Sequence, residues 1–225
     1  MMGYVIRLSP GALKLLLKHT ATVSLVCQWA SVPDAPMFSN AWLDKQSPER
    51  RATIEKSNKE FSAKMAAQRH QLLVEIGQQD AGLRVCLERE GEAHGQIYEI
   101  GKYWQLIHYI VNGTLEDRPA PNGNVIFGTE NIGPDLGYGP AQILNPTDVI
   151  AVAIVLGKID RNIIEKAWDP TTLDKIDIYP KPLPGGWAAE DTKSNVEHMC
   201  RVFKDLSSFY KDAAGRGDAV LRVLM

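Results

Sequence analysis

The run "SPERRATIEKSNKEFSAKMAAQRHQLLVEIG", residues 47 to 77, restricts the architecture of this chain more than any other stretch. Ser47 followed by Pro48 marks a helix start. Ile54, Phe61, Met65, Leu72 and Ile76 then recur at steps of four and seven, which lays one apolar stripe along a helix otherwise rich in charge. At about 1.5 Å per residue such a helix reaches roughly 40 Å. Its stripe is expected to dock on the domain, leaving Arg50, Arg51, Glu55, Lys59, Glu60 and Lys64 for solvent or for a partner.

The flanking segments mix both kinds of secondary structure. "GYVIRLS" alternates Tyr4, Ile6 and Leu8 with Val5 and Arg7 and reads as a strand, and Ser9-Pro10 then opens a helix through "GALKLLLKH". Gly77, Gly82, Gly91 and Gly95 are expected to loosen the chain ahead of "KYWQLIHYIVNG". Read as a helix, that segment puts Trp104 and His108 four residues apart on one face, with Ile107 and Val111 beside them. Glycine and proline crowd the next stretch, which predicts an ordered loop with one short strand at "NVIFG". Asn145-Pro146, Asp160 and Asp169-Pro170 are three helix starts. "DVIAVAIVLGKI" reads as a core helix, "KIDIYP" as a short strand and "PKPLPGGW" as a rigid surface turn. A last helix, "NVEHMCRVFKDLSSFYKDAAG", ends at Gly215 ahead of a buried terminal strand, "AVLRVLM". The fold class expected is α+β: one helix-rich domain over residues 1–225 around a small mixed sheet, with a helical insertion at 20–96.

Composition removes several function classes. The formal charge of −2, from 25 basic and 27 acidic residues, supplies no field to attract nucleic acid. The most apolar stretch runs for about a dozen residues, short of the ~20 needed to span a bilayer, so no membrane association is expected. Arg7, Lys14, Lys18 and His19 interrupt the apolar N-terminal stretches, which do not read as a signal peptide. Three cysteines, Cys27, Cys86 and Cys200, with no Cys-x-x-Cys pair, indicate neither a disulfide framework nor a zinc ribbon. A reducing cytoplasm is the expected location.

Catalytic spacing is thin. His19, His70, His94, His108 and His198 show no His-x-x-x-His pattern, and His198 and Cys200, two apart on a helix, face away from each other, so no metal is expected. "GYGPAQ" lacks the Gly-Lys-Ser/Thr of a phosphate loop, and Pro140 removes one backbone donor, so no nucleotide cofactor is expected either. Asp174 and Asp177 read as turn residues. His108, on an apolar helical face without a sequence-adjacent partner, is expected to be a core residue. Trp104, His108, Tyr138 and Tyr179 could together line a pocket, or be core with wet tips.

Several blocks in order carry a resemblance: "MGYVIRLS", "GKYWQLIHYIVNG", "GYGPAQILNPTDV", "IDIYP" and "FYKDAAGRGDAVLRVL". Over residues 1–18 and 97–225 the chain resembles the YfbM-like family of uncharacterised bacterial proteins. The resemblance implies a single α+β domain in a bacterial cytoplasm and assigns no activity. Trp104, His108, Gly113, Tyr138, Gly139, Pro140, Pro146, Tyr179 and Pro180 are its family-like positions. Gln142, where relatives often carry arginine, joins the pocket candidates, and residues 20–96 are longer and more helical than the connection associated with the family. Proteins resembling this family can occur beside secreted bacterial toxins. The expected function is accordingly a non-enzymic immunity protein that neutralises a cognate toxin by direct binding. The alternative is a small-molecule binder or enzyme using the pocket around Trp104, His108, Tyr138 and Tyr179.

Overall fold

A computed structural model describes residues 2–33, 36–92, 96–182 and 184–225. His94 and Gly95 lie outside the described residues.

Strand β1 (Gly3–Leu8) leads into α1 (Pro10–Lys18), with the Ser9 hydroxyl accepting from the Ala12 N–H as the Ser-Pro pair predicts. Helices α2 (Val23–Ser31), α3 (Asn40–Leu43), α4 (Pro48–Gln79) and α5 (Ala81–Glu92) follow, then β2 (Ile97–Gly101) and α6 (Trp104–Asn112). Strands β3 (Glu130–Asp135) and β4 (Pro140–Leu144) form a hairpin. Next come α7 (Pro146–Leu156), α8 (Arg161–Ala167), α9 (Pro170–Lys175), α10 (Thr192–Arg216) and β5 (Ala219–Leu224). The side chains of Asn145, Asp160 and Asp169 all accept a backbone N–H from the first turn of α7, α8 and α9.

The five strands form one sheet in the order β2-β1-β5-β4-β3, and every pairing is antiparallel rather than mixed. The terminal strand β5 lies at its centre. Ile6, Leu8, Ala141, Ile143 and Leu221 face a core built with α1, α2, α4 and α5. Val5, Leu144 and Val220 face a second core built with α6 to α10. Helices on both faces explain why "AVLRVL" reads as a near-continuous apolar run: both sides of β5 are covered. This is a helix-rich α+β domain.

Four sequence expectations change. Gly77, Gly82 and Gly91 do not loosen the chain: they lie within α4 and α5, the first two at a close helix contact. A Cβ on Gly77 would come within 2.7 Å of the Arg84 side chain, and one on Gly82 within 3.3 Å of Leu15. Asp80 turns the hairpin by accepting the Leu83 N–H at 2.9 Å. "NVIFG" is a 3-10 turn, and the strands lie later, at β3 and β4. "KIDIYP" is a turn, with Asp177 at φ 52°, since α9 already uses Lys175 and Ile178 is drawn into the core. Helix α10 passes Gly215 and stops at Gly217, φ 70°.

Only part of the α4 stripe docks. Leu72 and Ile76 are buried and Met65 packs against the same core, whereas Ile54 and Phe61 are half-buried and outside it. At about 1.5 Å per residue the 32 residues of α4 span roughly 48 Å. Its first half therefore extends past the sheet, held to α3 and the preceding loop by Asn58, which bonds both the N–H and the carbonyl of Phe38.

Candidate functional site

Helix α6 begins at Trp104 and ends at Gly113, whose φ of 70° suits a helix stop and whose N–H reaches the Tyr109 carbonyl. Its apolar face turns His108 inward, to 1% exposure. The Asn112 amide donates to His108 Nδ1 at 3.3 Å, and His108 Nε2 lies 3.0 Å from the Glu116 carbonyl. These partners assign a neutral ring with the proton on Nε2, donating to the Glu116 carbonyl. Both nitrogens are engaged, as expected of a core histidine, and the ring meets Phe127 edge-on at 5.3 Å.

Phe127 is also the neighbour of Trp104 at 6.4 Å, and Trp104 lies 6.3 Å from Tyr179. The Tyr179 N–H is held by Gln105 Oε1 at 2.7 Å. Trp104, His108 and Tyr179 thus come together as an aromatic cluster around Phe127. Tyr138 and Gln142 do not join it. They line a cavity of about 180 Å³, to which Phe127 also contributes, with Arg222, Asn131, Tyr4 and Ile126.

The β3–β4 hairpin presents Tyr138 at the rim of this cavity, 57% exposed. Gly137 and Gly139 flank it at φ 105° and 97°, and Asp135 gathers both of their N–H groups. In the row below, Asn131, Gln142, Arg222 and Val5 are successive cross-strand partners on β3, β4, β5 and β1. Gln142 takes the Gly128 N–H at 2.9 Å and donates to Asn131 Oδ1 at 3.1 Å.

Arg222 is the group that motif reading missed. It is 3% exposed; Nε and Nη2 donate to the Tyr210 hydroxyl at 3.0 and 2.6 Å, and Nη1 donates to the Phe127 carbonyl. No carboxylate among the described residues lies within 4.0 Å of it. Burial lowers its pKa, while Tyr210 and, more weakly, the field of Asp148 raise it. Burial pushes the Tyr210 hydroxyl the other way, upward, so it stays a neutral partner. The available signal was an arginine flanked by apolar residues in a strand with no polar face.

On α4, Arg50, Arg51, Glu55, Lys59, Glu60 and Lys64 are all exposed. Arg51 pairs with Asp44 at 3.0 Å and Glu55 at 2.7 Å, and Glu60 lies 4.0 Å from Lys56. Arg50 stands 6.0 Å over the Trp42 ring. Lys59 and Lys64 have no ion-pair partner among the described residues. These α4 residues and the aromatic cluster belong to different parts of the fold.

A family model described as "Domain of unknown function (DUF1877)" matches residues 47–223, a span that takes in α4 and α5. Among solved structures, the crystal structure of YfbM from Escherichia coli, a protein of unknown function, superposes with a TM-score of 0.55 at 16% identity, covering 100% of both chains. No curated protein matches the chain. Among the described residues no helix is long and apolar enough to cross a membrane.

Proposed function

Since the chain belongs to the DUF1877 domain family, whose description carries no activity, we propose from the molecule itself that it is a protein-binding protein. Its docking element is the projecting first half of α4, and its partner presents an acidic face. The observation that supports this reading is charge polarity. Between Pro48 and Lys64 there are five basic residues (Arg50, Arg51, Lys56, Lys59, Lys64) and three acidic ones (Glu49, Glu55, Glu60), a surplus of two positive charges in a chain whose net charge is −2. A positive arm on a negative body orients encounter with an acidic surface and speeds association more than it adds raw affinity.

In its sharpest form the proposal is an immunity protein that sits in the bacterial cytoplasm and neutralises a cognate secreted toxin by covering it. Cysteines outside any disulfide among the described residues, such as the buried Cys27 and the half-buried Cys200, suit a reducing compartment. The test takes candidate secreted-toxin domains from the same genome, each expressed in a sensitive host. Co-expression of the wild type restores growth, and the two proteins co-elute. A variant reversing Arg50, Lys59 and Lys64 to Glu, folded by circular dichroism, loses rescue and weakens the complex at low salt. Equal rescue by that variant refutes the arm as the docking element.

A further inference from the structure

We propose that the cavity beside Arg222 is a binding site for a small monocarboxylate with an apolar body. Arg222 is the one charged side chain in a lining otherwise made of amides, phenols and apolar groups, including Asn131, Gln142 and Tyr138. A buried guanidinium normally brings a carboxylate with it, because an unpaired buried charge is costly. Here its protein partners are a neutral hydroxyl and a backbone carbonyl. They engage three of the five N–H groups that a guanidinium carries, and two remain.

Neighbouring groups have the matching polarity. Gln142 lies directly opposite Arg222 across the β4–β5 pair, and its Oε1 is already taken by the Gly128 N–H. That bond orients the Gln142 amide so that its NH2, of which one hydrogen goes to Asn131 Oδ1, is on the other side. The Asn131 oxygen is likewise used, which leaves its NH2 as a donor. The polar ladder is therefore biased toward donors beside a positive charge, the arrangement that a carboxylate satisfies.

Size and wall chemistry narrow the ligand. A cavity of about 180 Å³ has room for some six waters at ~30 Å³ each, hence for a small molecule and not a chain of residues. Val5, Ile100, Ile126 and Leu224 supply apolar wall on which the body of the ligand can lie. One cation balances one carboxylate. A phosphate dianion would leave a net negative charge in a half-apolar site. The reading is independent of the docking arm, because α4 contributes no residue to this lining.

The probe is benzoate, titrated against the full chain by protein NMR, with its neutral isostere benzamide and with inorganic phosphate as comparators. Benzoate should bind saturably and move the resonances of Phe127, Gln142 and Arg222, with benzamide at least about tenfold weaker, as expected when a charge-assisted bond is lost. Gln142→Glu places a carboxylate opposite Arg222 and should abolish benzoate binding while leaving the fold intact. Arg222→Gln should weaken binding about tenfold or more wherever it folds. If Arg222→Gln does not fold, the Gln142→Glu result and the benzoate-to-benzamide ratio decide. Absence of saturable benzoate binding, equal binding of benzamide, or phosphate binding more tightly than benzoate would each overturn the proposal.

Discussion

Removing the imidazole of His108 tests whether α6 is built to pack or to react. In His108→Ala the bond to the Glu116 carbonyl goes, along with the Asn112 contact and the edge-on packing against Phe127. Glu116 is exposed, so its carbonyl can turn toward water, and the lost bond costs about 1 kcal/mol. His108 is 1% exposed and its ring packs edge-on against Phe127; emptying that space adds about 2 kcal/mol. A loss of about 3 kcal/mol in a chain of this size lowers the melting temperature by roughly 6–12 °C. His108→Phe keeps most of the packing and loses only the bonds, so its melting temperature should fall by about a third as much. Calorimetry or thermal circular dichroism on the three proteins reads the difference, with benzoate binding measured in the folded fraction below the transition. An unchanged melting temperature in His108→Ala together with lost benzoate binding would refute the packing account and make His108 a working residue.

The two halves of α4 should respond differently: Ile76→Ala, fully buried, costs on the order of 2–5 kcal/mol, whereas Ile54→Ala, outside the core, costs less than about 1 kcal/mol, as read by urea denaturation. Gly139→Ala at φ 97° should destabilise the β3–β4 hairpin by about 1–2 kcal/mol and weaken benzoate binding by displacing Tyr138, which amide exchange in β3 can follow. His198 has its pKa lowered by burial and then by Arg201. The unfolded chain therefore takes up the proton first as pH falls, and stability declines below about pH 6.5; His198→Asn should flatten that part of the stability–pH curve. Elemental analysis of the purified protein should find no stoichiometric zinc or iron, since the described residues hold no group of three or more His, Cys, Asp or Glu arranged for a metal.

Local instructions were legible in the chain because they act over a few residues. Ser9-Pro10, Asn145-Pro146, Asp160 and Asp169-Pro170 each start the helix they announce, since a side-chain oxygen two or three residues upstream meets a free N–H wherever the rest of the fold lies. The inward turn of His108 followed from the same kind of evidence, the apolar face of one helix. Tertiary structure decided whatever depended on partners distant in sequence. The glycines of the α4–α5 hairpin look like breakers until Arg84 and Leu15 are seen pressing on them. The α4 stripe is continuous in sequence, yet the sheet is shorter than the helix, so only its second half finds a core. The aromatic residues at 104, 108, 138 and 179 share a character that invites one pocket, but Trp104, His108 and Tyr179 are linked through ring contacts with one another or with Phe127, whereas Tyr138 lines the cavity. Arg222 drew no notice in "AVLRVL" because its meaning comes from Gln142 opposite it, 80 positions earlier, and from Tyr210 across a helix. Burial of a charge is a property of three layers of structure meeting, and no window of sequence contains it.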